Sequence, residues 1–563
     1  MIKKFFSIEV NQKGELLSKE ERENHKLFLG GEIGLGDADG TTILFNELKI
    51  AQHPSFIQGL LGQFPVVTVN FKNTKGNSYN EVLSLVKSAL HETFLEHVYL
   101  IASSKLREDE IKLFIKYIDN LDHQNLTYTE VCKGLFTLSR LLFKHFGKHC
   151  FILMDEYDSA INHSSINFCS KESIKVIELF MIINEATFKS NRYLKKGLIT
   201  GVFRQANLIS LLNLTKYSIL DDKFFHHYGF TEHEIKYLFD QYNVPESLGQ
   251  EMKDWYNGYT LKGVELYNPW SIVNCLTKFK EYSEDQNYCQ IKMKILQSYW
   301  NKSKNIDFLK DLFDLPSIKN KIDLLLKDEP FYFDLQNYFS NTDLMVIKEV
   351  ISLGSNYAIN ESTTDILFSF LFHVGYLTFS EKNGFKLPNK ELKFEFQNML
   401  RIYYNQQYNI DSKLFLDISD QLQKNLECLH NSTKLDQASE SLKISFINLL
   451  KKFPKFEKIG NEELIPSVMT YITLQLKSLS KFSAEVYFGN GRADIMLIDE
   501  LNKNGLVMEI NYIKDATEAV EQIKTKQYAK RLIDKLDIII ICLNVSDDKE
   551  VDIKCYKIIT GSY

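Results

Sequence analysis

Three short apolar segments alternate with helical segments in the first 205 residues, and this alternation constrains the fold more than any other feature. The apolar segments are "FPVVTVNF" (64–71), "HCFILMDEYD" (149–158) and "YLKKGLITGVF" (193–203). Between them, residues 79–102 and 131–146 carry apolar side chains at the spacing of a helix. The order strand, helix, strand, helix, strand predicts a layered α/β domain built on a parallel sheet.

The rest of the chain has two further patterns. A length of 563 residues is too great for one hydrophobic core. The pattern is mainly helical from about 230 to 450, and strands return after about 455 in "SAEVYFG", "ADIMLID", "GLVMEINYI" and "LDIIIICLNV". We therefore expect an α/β multidomain protein with an N-terminal domain over 1–240, a mainly helical region over 241–450 and a smaller α/β domain over 451–563.

The composition is typical of a cytoplasmic protein. The net charge of −6 argues against a protein that coats polyanions along its whole surface, although a local basic groove is compatible with it. The eight cysteines include no CxxC pair and are expected to be reduced thiols. We find no signal peptide and no apolar run long enough to span a membrane, so no membrane partner is expected.

Acidic residues follow the second strand of the N-terminal domain. Asp155 and Glu156 fall at the carboxyl end of a parallel strand, where ligands bind in such sheets. An aspartate there can hold magnesium through water, and the following glutamate can orient a water that attacks a γ-phosphate. Thr200 ends the third strand, and Arg204 beyond it could neutralise that phosphate. The alternative is a buried strand that simply meets a charged turn.

The phosphate-binding loop that normally accompanies such a strand is not found in the sequence. GxxxxGK[ST] does not occur, and the glycine-rich stretch "GGEIGLGDADGTT" (30–42) lacks the lysine. Without the lysine and its cradle of backbone N–H groups, a site loses most of its hold on a triphosphate. We therefore expect poor ATP binding or none.

An ordered set of stretches resembles one family of bacterial proteins. The stretches include "FILMDEYDSAI", "GLITGVFRQANLISLLNLTKYSI", "WYNGYTLKGVELYNPWSIVNCL" and "GRADIMLIDELNKNGLVMEINYIKDATEAVEQIKTKQYA". The family has an AAA-ATPase-like N-terminal domain and a C-terminal PD-(D/E)XK nuclease-like domain. The resemblance implies a P-loop-NTPase-like three-layer parallel sheet, a helical lid or linker region and a restriction-endonuclease-like α/β domain.

The resemblance also bears on the phosphate-binding loop. In the family this loop precedes a helix similar to "MIKKFF" (1–6). We therefore expect the first strand and the loop to be absent from this sequence. Three explanations are open: the start was assigned too late, the gene is a decayed fragment, or the ATPase half persists as a scaffold. Such a domain is expected to expose part of its sheet.

The resemblance implies a second site near the C-terminus. Glu462 on a helix, Asp494 on one strand and Glu509 on the next match the carboxylates that surround Mg²⁺ or Mn²⁺ in PD-(D/E)XK nucleases. Glu463 is an alternative to Glu462. Glu509 lies within an otherwise apolar strand, where an unpaired carboxylate is costly and a nearby cation compensates it.

Two further positions complete the family pattern. The lysine of E-x-K is replaced here by Asn511, which forms hydrogen bonds but carries no positive charge. Lys514 could substitute for that lysine, although strand geometry places it on the opposite face from Asn511. Lys524 or Lys526 on the next helix is the other candidate. Gln522 on the same helix matches a family position beside the active centre.

The family role implied is nucleotide-gated, metal-dependent cleavage of nucleic acid, with DNA favoured over RNA. We expect weak ATP handling and slow cleavage in this chain, and self-association is compatible with the pattern. The alternative is a catalytically inactive scaffold that binds nucleic acid or a protein partner. The aromatic stretch "WYNGYTLKGVELYNPW" (255–270) could stack bases, but turn formation and core packing are the favoured interpretation.

Overall fold

The structure is a computed structural model in which the chain forms two compact units. The first unit contains Met1–Lys216, Asp334–Ser352 and Ile359–Val374, and the second contains Tyr217–Phe333, Leu353–Ala358 and Gly375–Tyr563. The described residues are 2–11, 13–17, 32–34, 42–44, 49–189, 191–202, 214–215, 217–221, 223–282, 294–300, 312, 315–326, 328–381, 384–407, 440–441, 443–444, 447–448, 483–489, 492–499, 504–512, 537–545 and 551–558.

The N-terminal part of the chain alternates helices with strands. In chain order its elements are α1 (Ile2–Phe6), β1 (Glu32–Gly34), β2 (Thr42–Leu44), α2 (Pro54–Leu60), β3 (Val66–Asn70), α3 (Tyr79–Leu95), α4 (Glu108–Ile118), α5 (Tyr128–Phe146), β4 (Cys150–Asp155), α6 (Ser159–Asn167), α7 (Ser170–Asn184) and β5 (Leu194–Ile199). A one-turn π-helix, Glu185–Lys189, follows α7.

Strands β3, β4 and β5 form a parallel sheet in that order. Val67 is paired with Ile152, Asn70 with Asp155 and Met154 with Ile199. All three strands predicted from the sequence are therefore confirmed. Because the strands are parallel and in register, their carboxyl ends meet at one edge of the sheet.

One face of this sheet carries the main core of the first unit. Val67, Val69, Ile152 and Met154 are buried in one cluster with apolar side chains of α3, α5 and α7. These helices have clear start and stop signals; α5, for example, begins with a capping box at Thr127 and ends at a left-handed glycine, Gly147 (φ 69°).

The opposite face is covered at its amino-terminal end and open further along. Phe6 of α1 stacks on Phe151 with ring centroids 4.5 Å apart, and Phe64 packs edge-on against the same ring at 4.8 Å. Further along, Leu198 on β5 is 44% exposed. Among the described strands β5 pairs only with β4, so one edge of this sheet has no described strand beside it.

The middle of the chain is mainly helical. Its elements are α8 (Glu232–Gln241), α9 (Glu246–Tyr256), β6 (Tyr259–Leu261), β7 (Val264–Leu266), α10 (Pro269–Tyr282), α11 (Pro316–Leu326), α12 (Asn341–Leu353), α13 (Glu361–His373), β8 (Thr378–Phe379), β9 (Phe385–Lys386) and α14 (Lys390–Gln407). Strands β6–β7 and β8–β9 form short antiparallel pairs. A mixed α/β chain with a parallel sheet and a helical middle is therefore confirmed. The boundaries at 240 and 450 stay predictions.

A buried carboxylate organises the second unit. Glu391 in the first turn of α14 is fully buried and accepts hydrogen bonds from Ser271 Oγ (2.7 Å), Tyr299 N (2.6 Å) and Trp300 N (2.8 Å). Burial raises the pKa of this carboxyl group, and the three donors oppose that shift. The network ties the segment 298–300 to the amino-terminal ends of α10 and α14.

The C-terminal strands form a five-stranded sheet in sequence order: β10 (Ser483–Gly489), β11 (Arg492–Asp499), β12 (Asn504–Tyr512), β13 (Asp537–Val545) and β14 (Val551–Ile558). Only β12 and β13 are parallel to each other, and the other neighbours are antiparallel. The four strands predicted here are confirmed, whereas β14 was not predicted. The helices predicted on either side of β10–β12 lie outside the described residues.

None of the described helices combines the length and the apolar character that a membrane span requires.

The stability of the first unit should depend on pH through His97. This side chain is buried, and burial lowers the pKa of His97 to about 4. Below the ordinary value of about 6.5 the unfolded chain binds a proton that the folded chain does not, so stability should fall from pH 6.5 to 4 by up to about 3 kcal/mol. Urea unfolding of wild type and His97→Asn across this range checks it. Parallel curves for the two proteins would contradict the prediction.

Candidate functional site

Three strand ends converge on Asp155. Its Oδ1 accepts hydrogen bonds from Thr200 Oγ1 (2.5 Å) and from the backbone N–H of Glu156 (3.0 Å), and its Oδ2 accepts a longer one from Asn70 Nδ2 (3.4 Å). The parallel register produces this arrangement because Asn70 is paired with Asp155, and Thr200 directly follows β5. The structure thus brings Asp155 and Thr200 together and adds Asn70, while Arg204 lies outside the described residues.

These strand ends line a cleft of about 350 Å³. Its walls are the carboxyl-terminal parts of β3, β4 and β5 and the last turns of α3. The lining residues include Thr68, Asn70, Leu153, Asp155, Leu198, Thr200, Glu92, Thr93 and Glu96. Glu96 is held by Lys3 Nζ (2.6 Å) and Thr68 Oγ1 (2.9 Å). Because the charged residues of the lining, Glu92, Glu96 and Asp155, are all carboxylates, the cleft favours a cation, or an anion accompanied by one, over a free phosphate.

Glu156 has an unusual backbone. Its φ of +51° lies in the left-handed region, which is sparsely populated by residues other than glycine. The neighbouring contacts stabilise this conformation, because its N–H is bound by Asp155 and its carbonyl accepts from the N–H of Ser159 (3.1 Å). Such conformations concentrate at functional sites. The side chain of Glu156 is partly exposed at the cleft-bearing end of the sheet.

Asp158 fixes the chain beyond β5. Its carboxylate is 1% exposed, accepts from the backbone N–H of Val202 (3.1 and 3.3 Å) and from Asn162 Nδ2 (2.8 Å). A Cβ added at Gly201 would lie 2.5 Å from Asp158 Oδ1, so glycine allows this close approach. Asn70 could have been found by the strand-end rule that found Asp155, whereas no sequence pattern identifies Asp158.

The C-terminal sheet places two carboxylate residues directly opposite each other. In the antiparallel pair β11–β12, Asp494 is the register partner of Glu509. Residues paired in this way share a face of the sheet and are neighbours on it. Asn511 lies two positions beyond Glu509 and therefore belongs to the same face. Glu462, Gln522 and the three lysines considered as substitutes lie outside the described residues.

The donor chemistry of this pair fits a hard divalent cation. Magnesium and manganese prefer carboxylate oxygens, and Asp494 and Glu509 bring one carboxylate each to neighbouring register positions. In the part of the chain with described side chains, no group of three or more His, Cys, Asp or Glu residues is arranged to hold a metal ion. The side chains of β11 and β12 lie outside that part.

Two stretches of the chain match families of known proteins. Residues 35–208 match the family described as a predicted AAA-ATPase, and residues 460–555 match the PD-(D/E)XK nuclease superfamily. The chain carries an AAA-ATPase-like domain and a PD-(D/E)XK nuclease superfamily domain. The first range contains Asp155 and Thr200, and the PD-(D/E)XK range contains Asp494 and Glu509.

One curated relative is a protein of Azotobacter chroococcum mcd 1 named "Uncharacterized protein in vnfD 5'region". It is 23% identical over 273 residues, which cover 46% of this chain and 44% of the relative. The chain thus matches less than half the length of that protein. No solved structure matches the chain.

The hydrogen bonds of Asp158 should contribute measurably to the stability of the AAA-ATPase-like domain. Asp158→Ala removes a buried carboxylate that accepts hydrogen bonds from the N–H of Val202 and from Asn162 Nδ2, and the loss of these bonds should lower the free energy of unfolding by about 1–3 kcal/mol. Urea unfolding followed by circular dichroism measures this loss. The exposed Asp109 provides a control, since Asp109→Ala should stay within about 0.5 kcal/mol of wild type. Equal losses in both variants would contradict the assigned role.

Proposed function

We propose that this chain is a divalent-metal-dependent phosphodiesterase that cleaves nucleic acid, DNA in preference to RNA, and that its AAA-ATPase-like domain regulates the cut. The observation that carries the proposal is the direct pairing of Asp494 with Glu509 in a domain that matches the PD-(D/E)XK nuclease superfamily. The finer assignments belong to the same proposal: a P-loop-NTPase-like domain over 1–240, a helical linker over 241–450 and a restriction-endonuclease-like domain over 451–563.

The chain's own residues would divide the work of hydrolysis. Asp494 and Glu509 would hold Mg²⁺ or Mn²⁺, with Glu462 as a third carboxylate from the preceding helix. When bound, the ion would polarise the phosphodiester and lower the pKa of the attacking water. Asn511, on the face that carries Glu509, would orient that water through a hydrogen bond, and Gln522 would support the centre from the next helix.

Asn511 limits the rate in this proposal. An amide orients water but cannot offset the negative charge that develops in phosphodiester hydrolysis, as a lysine ammonium does. Electrostatic stabilisation of this kind is often the largest single contribution to catalysis. Slow cleavage therefore follows from the residue at this position.

The regulatory part would use the convergent strand ends of the first unit. Asp155 would bind the magnesium ion of a magnesium–nucleotide complex, and Glu156 would orient a water. Thr200 and Arg204 would lie near the terminal phosphate. The acidic lining of the cleft supports weak nucleotide binding. ATP would therefore be a weak effector.

A second candidate is a catalytically inactive scaffold that binds nucleic acid or a protein partner. One observation favours it: Asn511 stands at the lysine position. It differs from the first proposal in requiring no metal at Asp494 and Glu509.

Nicking of supercoiled plasmid separates the two candidates. With Mg²⁺ or Mn²⁺ the wild-type chain should nick slowly, and Asp494→Ala and Glu509→Ala should each abolish nicking because each removes a metal ligand. Asn511→Lys should raise the rate about tenfold or more, since it restores the missing charge. A gel assay of nicked product against time provides the rates.

Asn504→Lys is the matched control, because Asn504 lies at the other end of β12 and seven positions away, on the opposite face. It should leave the nicking rate unchanged. A wild-type chain that does not nick, together with an inactive Asn511→Lys variant, would favour the scaffold.

A further inference from the structure

One group of aromatic and basic residues in the second unit has no role in either candidate site. It lies along α10 and the neighbouring segment 294–300, and we name it the α10 strip. Its members are Trp270, Lys278 and Tyr282 on α10 and Lys294 and Tyr299 on the segment. From Trp270 to Tyr282 the helix rises about 18 Å, at about 1.5 Å per residue.

Trp270 is the most informative member of the α10 strip. The stretch 255–270 was expected to supply core packing, and Tyr256 and Tyr267 are indeed buried. Trp270, in contrast, is 61% exposed. Its indole N–H donates to the carbonyl of Tyr299 (3.0 Å), so one edge of the ring is anchored while most of the side chain remains open to solvent.

Two lysines place positive charge beside the rings of the α10 strip. Lys278 Nζ lies 5.4 Å from the ring centroid of Tyr299, and Lys294 Nζ lies 4.6 Å from that of Tyr282. No ion pair joins Lys278 to a carboxylate among the described residues. The nearby carboxylate of Glu391 is fully buried and bound by three donors, so it presents little charge at the surface.

We propose that the α10 strip binds single-stranded nucleic acid. An exposed, anchored indole offers a face on which an unpaired base can stack, and the lysine ammonium groups suit the phosphate backbone. A duplex hides its base faces, so it would use only the lysines. The proposal deepens the proposed function by naming a substrate form, and it rests on that function for the reason the chain meets nucleic acid.

Fluorescence anisotropy on the full chain tests the α10 strip without cleavage. The probes are labelled oligothymidylate, oligouridylate and a duplex of the same length, all in EDTA so that no metal-dependent cut occurs. The two single-stranded probes separate DNA from RNA as the source of the bases. We expect single strands to bind more tightly than duplex.

Trp270→Ala should weaken single-strand binding by about fivefold or more, the loss typical for one stacked base. Trp270→Phe keeps a stacking ring and should retain most of the binding, which guards against a misfolded alanine variant. Lys278→Ala should weaken binding and make it less dependent on salt. Tyr237→Ala is the matched control, because Tyr237 is a similarly exposed aromatic residue (57%) on α8, and it should have no effect.

The outcomes separate this proposal from the proposed nuclease. Single-strand binding that depends on Trp270 supports the α10 strip even if plasmid nicking is never detected. Equal binding by wild type, Trp270→Ala and Lys278→Ala overturns it, even if nicking is robust. Tighter binding of duplex than of single strands also overturns it.

Discussion

Strand register is the constraint on which both candidate sites depend. In β11–β12 a slip of one residue would place Asp494 and Glu509 on opposite faces, because side chains alternate along a strand. In the AAA-ATPase-like domain the same kind of slip between β3 and β4 would separate Asn70 from Asp155. The register itself is maintained by burial: Val67 and Ile152 are fully buried partners on the core face of the parallel sheet.

The two faces of the parallel sheet serve different purposes. The core face is packed with α3, α5 and α7, whereas among the described residues Phe6 and Phe64 cover the opposite face around Phe151. The cleft occupies the part of that face left open and extends to Asp155 and Thr200. Polar groups can gather there because the apolar burial that stabilises the domain is concentrated on the other side.

Much of the fold could be predicted because the central strands are short, apolar and separated by regular helices. Strand β14 was missed because "VDIKCYKI" alternates apolar with charged and polar residues, which gives a weaker signal than the continuous apolar run of β13. Strand β14 lies at the edge of the sheet, and its pairing with β13 shows that this segment is a strand.

The site residues differ in whether the sequence predicts them. Asp155 and Thr200 follow from the rule for parallel strand ends, and Asp494 and Glu509 from family resemblance. Asp158 could not be found, because its contact with Val202 joins segments 44 residues apart. The exposure of Trp270 was equally hidden, since the sequence does not reveal which aromatic residues of 255–270 the core accepts.

Binding of Mn²⁺ to the full chain tests most directly whether Asp494 and Glu509 act as one centre. Electron paramagnetic resonance of free Mn²⁺ counts the ions bound by wild type, Asp494→Asn, Glu509→Gln and the double variant. We predict that each single substitution removes the same site and that the double variant loses no more than either one. Equal Mn²⁺ binding by wild type and the double variant would contradict a shared metal centre.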